Sequence, residues 1–468
     1  MRNAGASVVR RLSVLLALLL SAACTSGGGN GTTSAPADTP GEIVVASGRD
    51  VTGKNGIRQQ LIDAWNRQQE KEGSNYRARL VELPGSTDEQ RSQLLGALQS
   101  GSAHYDVVNL DVTWVPEFAE AHLVRALPDS AIDTGDVIKS VADTARWGGK
   151  VYAVPFNSDV GLLYYRRDYL REAGVQHTDL SGGLTWDRMR ELIDSIEGHP
   201  PKGYEKGWTT QLAGYEGRTV NAVEAFASAV PDFALTNSSG HYTATVDQLT
   251  AGVAELRRRT EPAYTLDNAV HSDETTSLND FADGRTAFLR HWPYAYRTLH
   301  QTFGTGQLGV APLPGRAVLG GQDLAVTQAS ERPGKASELI SFLTGKESER
   351  CLLDAGFAAT RQSAYVDDGV TCASARPSGV GPTTTPSASP TGEQTDRMPR
   401  DTAGRPAYAR TILLPSLQHA LQRPRTPLYG AFTQTFDAQL GPLFGSSPPS
   451  DTELAKSLDR ALRRALPN

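Results

Sequence analysis

The chain has 468 residues, 39% of them hydrophobic, and a formal net charge of −6. That length supports two substantial lobes. The acidic balance and the lack of any Lys/Arg-rich run argue against nucleic acid as a partner. Cys24, Cys351 and Cys372 lack zinc-finger or redox spacing and the nine His are scattered, so neither a metal nor a cofactor is expected.

The N-terminus reads as a processing signal. Arg2, Arg10 and Arg11 form a basic start, residues 12–20 are apolar but too short to span a bilayer, and Ser21-Ala22-Ala23 lead to Cys24. This resembles a bacterial lipobox, with Ser21 where Leu is usual and Leu20 one place earlier. It predicts lipidation of Cys24; the alternative is an ordinary signal peptide cleaved nearby. Loss of residues 1–23 removes three Arg and no acid, giving −6 − 3 = −9. Residues 24–40, rich in Gly, Ser and Thr, are expected to be a flexible tether. A lipid there would hold the protein on the outer face of the cell membrane.

EIVVAS (42–47) reads as a buried strand. The following stretch, Gly48 to Asn55, nearly spells a P-loop, but Asn55 stands where Ser or Thr must hold Mg²⁺. A strand-to-helix loop with Arg49 and Asp50 lining a cleft is the better reading. GIRQQLIDAWNRQQEK is a helix with Ile57, Leu61 and Trp65 on one face. Strand ARLVEL precedes a helix capped by Ser86 or Thr87, with Glu89 or Gln90 in its first turn. Strand YDVVNLDVTW (105–114) is followed by a short helix, PEFAEAHLVRAL. Alternating strands and helices predict α/β architecture with a largely parallel sheet.

Residues 148–170 read as two buried strands, VYAVPF and GLLYY, joined by Asn157, Ser158 and Asp159 without a turn signal. Polar groups between buried strands need partners, and a polar ligand at a lobe-to-lobe crossover would supply them. Further on, Thr185 caps a helix, GWTTQLAGYEGRTVNAVEAFASAV pairs a strand with a helix, and a strand ends at Arg290-His291 before Trp292-Pro293-Tyr294. LGVAPLPG and LGGQDLAVTQ are strands, and SELISFLTGKESERCLLDAG, ARTILLPSLQHALQRPRTPLYGAF and DTELAKSLDRALRRAL are helices. Residues 373–406, rich in Ser, Thr, Pro and Gly, are expected to be a disordered insertion. In an exported chain Cys351 and Cys372 form either a disulfide, which the context favours, or two reduced thiols.

The stretches TDEQRSQLLGAL, DVVNLDVTWVPEFAEA, GGKVYAVPFNSDVGLLYYRRD, GYEG, HWPYAY, GVAPLPG, LGGQDLAV and RPRTPLY together resemble the sugar-binding lipoproteins of ABC importers, nearest their trehalose/maltose-binding branch. The resemblance implies a two-lobe α/β periplasmic-binding-protein-like fold (class II) with a hinge. One lobe would take residues 41–158 and 310–356, the other 159–309 and 357–468. It also implies a monomer that takes a disaccharide or oligosaccharide, trehalose or maltose foremost, to the permease subunits of an ABC transporter.

Sugar hydroxyls call for carboxylates, amides and guanidinium groups, and the apolar faces of pyranose rings for flat aromatic surfaces. On the matched motifs the expected ligand residues are Arg91, Asp111, Asn157, Asp159, Glu216, Trp292, Tyr294, Gly321, Gln322 and Arg423. Asn157 and Gln322 replace aromatic residues found in some relatives, whereas Trp114 reads as core. Two alternatives carry other functions: a glycoside hydrolase using two of Asp111, Asp159 and Glu216, and a surface lipoprotein that keeps the fold without transport.

Overall fold

The computed structural model describes residues 38–49, 56–102, 104–372 and 396–467. Cys24, residues 24–37 of the expected tether, and Asp50 to Asn55 of the near-P-loop lie outside these residues. Residues 38–40 of that tether are ordered, with the Asp38 carboxylate accepting from the Gly334 N–H at 3.1 Å and the Thr39 N–H donating to the Glu331 carbonyl at 3.0 Å.

The chain begins with β1 (Glu42–Gly48), α1 (Ile57–Lys71), β2 (Arg77–Leu83), α2 (Thr87–Ser100) and β3 (Val107–Asp111). Ile57, Leu61 and Trp65 of α1 are buried, and Ser86 and Glu89 close a capping box on α2. β4 (Val154–Val160) and β5 (Leu162–Arg166) follow, separated only by Gly161. Then come α3 (Trp186–Glu197, capped by Thr185), β6 (Lys206–Thr209), α4 (Glu216–Ala229) and α5 (Val246–Arg259). β7 (Thr286–His291), β8 (Leu308–Pro312) and β9 (Leu319–Val326) complete the strands, and α6 (Pro333–Leu343), α7 (Lys346–Asp354), α8 (Tyr429–Leu440) and α9 (Asp451–Ala465) follow.

These nine strands form two sheets, ordered β2-β1-β3-β9-β4 and β8-β5-β7-β6, and the short strands Arg146–Trp147 and Lys150–Val151 pair as a separate antiparallel hairpin. In the first, β1 runs parallel to β2 and β3, while β9 runs antiparallel to β3 and β4. Both faces of the second sheet are covered. Leu162 and Tyr164 of β5 enter one apolar cluster, and Leu163 and Tyr165 enter another, as the twofold alternation of a strand requires. A third cluster packs Ile43 and Val45 of β1 on Leu61 and Trp65 of α1 and Leu339 of α6.

Several expectations need correction. Asn157, Ser158 and Asp159 do not link two strands; they lie within β4, which pairs with β9 on one side, while the Ser158 N–H donates to the Ala358 carbonyl at 2.8 Å on the other. The passages between sheets fall at Gly161 and between Pro312 and Leu319, not at 158/159 and 309/310, because all of β4 pairs in the first sheet and all of β8 in the second. The helix expected over 337–356 is two helices broken at Thr344-Gly345. The one expected over 409–432 stops at Gln418 and resumes at Tyr429, since Pro424 and Pro427 cannot continue it. Residues 396–406 are ordered: Met398 joins the core, and buried Arg405 donates to Asp401 at 2.9 Å. Of that expected insertion, residues 373–395 lie outside the described residues. Cys351 and Cys372 are joined as a disulfide. Among the described residues no helix is long and apolar enough to cross a membrane.

Candidate functional site

The strand register brings three sequence-distant side chains into one row. Gln322 of β9 pairs with Asp111 on one side and Asn157 on the other, and Gly320 pairs with Asp159. Asp111 is the last residue of β3, at a carboxyl end where α/β sheets bind ligands. Opposite this row stand Glu216 in the first turn of α4 and Trp292 just past β7.

These groups enclose a cavity of about 130 Å³, lined by Asp111, Asp159, Glu216, Trp292, Gly321, Gln322 and Arg423 together with Thr87, Tyr215, Gly217, Val220, Glu274 and Gly320. Arg423 lies on the extended segment that replaces the expected helix. It donates through Nη1 to Glu216 Oε1 at 2.6 Å and through Nη2 to both Asp111 oxygens at 2.9 and 3.0 Å. Tyr429 and Thr433 of α8 also donate to Glu216. Burial opposes the charge on Arg423, but Asp111 and Glu216 outweigh it and hold the guanidinium protonated.

Asp159 is the contrasting group. Its Oδ1 is buried without a hydrogen-bond partner among the described residues. Burial pushes its carboxyl up to about 7, with Arg58 and Arg290 pulling the other way. The Trp292 ring has the Arg290 guanidinium 3.8 Å from its centroid, and its Nε1 donates to Glu274 Oε1 at 3.3 Å. A Cβ added at Gly320 would lie 3.1 Å from Asp159 Cβ and 3.3 Å from Trp292 Cζ3, so the indole edge stands close beside the acid. An indole beside an unbonded carboxylate offers a pyranose both a flat face and a strong acceptor.

Three expected residues do not line the cavity. Arg91 is a bidentate partner of Glu117, with Nε donating to Oε2 at 2.7 Å. Asn157 is buried beneath the floor and accepts from Arg58 Nη2 at 3.1 Å. Tyr294 packs edge-on against His291 with centroids 5.1 Å apart. Trp114, read as core, is 4% exposed. Sequence reasoning missed Glu274, Thr87, Tyr215 and Gly320. Tyr215 sits within the GYEG motif and Gly320 within LGGQDLAV, whereas Thr87 carries only a capping signal, and the cap is its neighbour Ser86. Glu274 had no local signal: it enters from the first turn of a separate helix, Glu274–Ala282.

A larger cavity of about 480 Å³ lies between the 146–149 hairpin, residues 233–238 and residues 421–425. It shares Arg423 with the first, but its other cations are engaged elsewhere, Arg146 with Asp129 and Arg425 with the Thr144 carbonyl. The smaller cavity, with its unbonded acceptor, is the candidate site.

Comparison with known proteins places the chain. Residues 61–377 match the profile of bacterial extracellular solute-binding proteins. A probable ABC transporter-binding protein of Deinococcus radiodurans is 28% identical over 66% of this chain and 73% of its own. Among solved structures, maltose-bound MalE3 of T. maritima superposes with a TM-score of 0.72 at 23% identity, over 90% of this chain and 99% of that one. UgpB of Mycobacterium tuberculosis, in complex with glycerophosphocholine, superposes at 0.66 and 20% identity, over 91% and 98%. At such identities these structures speak to the fold, which is the expected periplasmic-binding-protein-like α/β fold. With a profile match over more than half of its length, the chain belongs to the family of bacterial extracellular solute-binding proteins.

Proposed function

We propose that the protein captures a sugar in the Asp159–Trp292 cavity and delivers it to the permease of an ABC importer. The observation that carries this is the Asp159 carboxylate, which lines the cavity with its Oδ1 unbonded, beside an indole edge. A sugar hydroxyl supplies the missing donor and a pyranose face covers the indole. Trehalose and maltose-like α-glucosides are the leading ligands, on the motif resemblance. The two sheets act as lobes, hinged where the chain passes between them, and closure follows from contacts that only the closed state makes. Cys24 carries a lipid that holds the monomeric protein on the outer face of the membrane.

Binding is favoured over hydrolysis because Asp111 and Glu216 both accept hydrogen bonds from Arg423. Glu274, the remaining acid of the cavity wall, accepts from the Tyr215 hydroxyl and Trp292 Nε1, which leaves Asp159 without a second free carboxylate of the pair a glycosidase needs.

The test is a thermal-shift screen of residues 25–468 with trehalose, maltose, sucrose and glycerophosphocholine, with glucose release assayed in parallel. A ligand that binds only the folded state raises the melting temperature. A shift with one disaccharide and no glucose release supports the proposal. A shift with glycerophosphocholine alone, or no shift at all, rejects the sugar class.

A further inference from the structure

Beneath the cavity floor lies a charge that the sugar-binding reading does not use. Arg58, the second residue of α1, is 5% exposed. Its guanidinium carbon lies 5.4 Å from the ring centroid of Phe357 and 6.0 Å from that of Phe156. Its Nη1 donates to Ser47 Oγ and the Gly48 carbonyl, both at 3.0 Å. Its Nη2 donates to Asn157 Oδ1 at 3.1 Å and to Gln322 Oε1 at 2.5 Å. Asn109 Nδ2 donates to the same Gln322 oxygen at 2.7 Å.

A guanidinium has donors only. The Gln322 atom facing Arg58 is therefore its oxygen, and Asn109 donates to that same oxygen. The Gln322 oxygen is thus engaged below the floor, while the residue lines the cavity and its Nε2 has no hydrogen-bond partner among the described residues. A carboxamide free to flip presents either a donor or an acceptor to a ligand; this one presents donors alone.

We propose that Arg58 is a positioning residue that sets the hydrogen-bonding polarity of Gln322, so that Gln322 reads an acceptor oxygen on the ligand. This rests on the cavity being the sugar site. Gln322 and Asp159, the latter facing Gly320 two residues back along β9, form a pair in which one gives and the other takes. The ligand class is then a sugar whose edge presents an acceptor (ring, glycosidic or hydroxyl oxygen) beside a hydroxyl donor.

The test exploits an isosteric swap. Gln322→Glu keeps an oxygen toward Arg58 and Asn109 but turns the cavity-facing NH₂ into an acceptor. Wild type, Gln322→Glu, Arg58→Met and the double variant are titrated calorimetrically with trehalose and maltose at pH 8, and their ligand-free melting temperatures are recorded. Arg58→Gln, whose carboxamide can either donate or accept and so no longer selects the Gln322 oxygen, replaces Arg58→Met if the latter does not fold. The expected result is an affinity at least tenfold weaker in Gln322→Glu with its ligand-free melting temperature retained. The Gln322→Glu effect should also shrink by at least threefold when Arg58 is absent, a coupling that mere structural damage does not produce. Wild-type affinity in Gln322→Glu, or effects that simply add, would overturn the inference and leave the sugar site standing. Absence of binding by the wild type overturns both.

Discussion

Arg423 and Asp111 form a bidentate pair, with Nη2 at 2.9 and 3.0 Å from the two carboxylate oxygens, although they stand 312 positions apart. The other arm of the same guanidinium holds Glu216 of α4, so one side chain ties the end of β3 to the segment after β6. These links narrow the cavity to about 130 Å³, below the roughly 300 Å³ at which ligand pockets usually begin. Entry of a disaccharide therefore requires the two sides to part.

Removing Arg423 leaves two carboxylates buried and facing each other. Arg423→Met is expected to destabilise the fold by about 3–5 kcal/mol, the usual cost of breaking a buried ion pair from one side. Adding Asp111→Asn and Glu216→Gln to that variant should restore most of the loss, because the uncompensated charge is gone. Urea unfolding of the single and triple variants measures both, and a triple variant no more stable than the single would refute the charge explanation.

Asp159 makes binding depend on pH. Its folded value of about 7 lies above the ordinary carboxylate value of 3.8, so the folded protein holds a proton that the unfolded chain releases. The sign follows: this group's contribution to stability is full below about pH 4 and declines as pH rises to about 7. A ligand hydroxyl donates to the ionised form, so affinity should rise about tenfold between pH 6 and pH 8. Asp159→Asn should flatten that profile and weaken binding by roughly 10–100-fold, the worth of a hydrogen bond to a charged group. At pH 8 without ligand the same variant should melt roughly 2 °C higher, since a buried charge lacking a donor is gone. Titrations across pH test all three outcomes. The charges acting on Asp159 are Arg58, Arg290 and Arg423, which favour its ionised form, and Asp111, which opposes it.

Much of the site was legible because its residues sit at punctuation in the chain. Asp111 ends a strand, Glu216 opens a helix between glycines, and Trp292 follows a strand beside a proline. Each could be placed by local pattern plus family resemblance. Arg91 and Asn157 fitted the same motifs, yet one is taken up by Glu117 and the other by Arg58. Those partners lie 26 and 99 positions away, and no local pattern encodes them. Glu274 shows the converse: an unremarkable acid on a short helix becomes a cavity wall only when β7 places Trp292 against it. Arg423 is marked by its motif although the local pattern predicts a helix there: the helices end at Gln418 and restart at Tyr429, and Pro424 and Pro427 keep the segment between them non-helical.

The disulfide closes a 21-residue separation and pins α7 to the chain that precedes residues 373–395. Cross-linking a loop of that size typically contributes about 2–4 kcal/mol by restricting the unfolded chain. Treatment with dithiothreitol, or Cys351→Ala with Cys372→Ala, should lower the melting temperature by several degrees and leave sugar affinity within twofold, because neither cysteine lines the cavity. A large loss of affinity on reduction would show that this loop helps shape the site.

Two adjacent glycines on β9 should behave in opposite ways. Gly321 has φ +114°, and a Cβ there would lie 2.4 Å from the Asn157 carbonyl oxygen and 2.6 Å from Ser158 Cα. Both are backbone atoms of the paired strand and cannot yield without breaking the ladder, so Gly321→Ala should cost upward of about 2 kcal/mol of stability. At Gly320 a Cβ meets only the Asp159 and Trp292 side chains, at 3.1 and 3.3 Å. These can shift by a few tenths of an ångström, so Gly320→Ala should fold with stability within about 1 kcal/mol of wild type. The added methyl nevertheless stands between the acceptor and the indole edge, where the ligand is expected to lie. Gly320→Ala should therefore weaken trehalose or maltose binding at least tenfold. Thermal melts paired with calorimetric titration separate the two outcomes. Full affinity in Gly320→Ala would mean that the sugar does not occupy the space between Asp159 and Trp292.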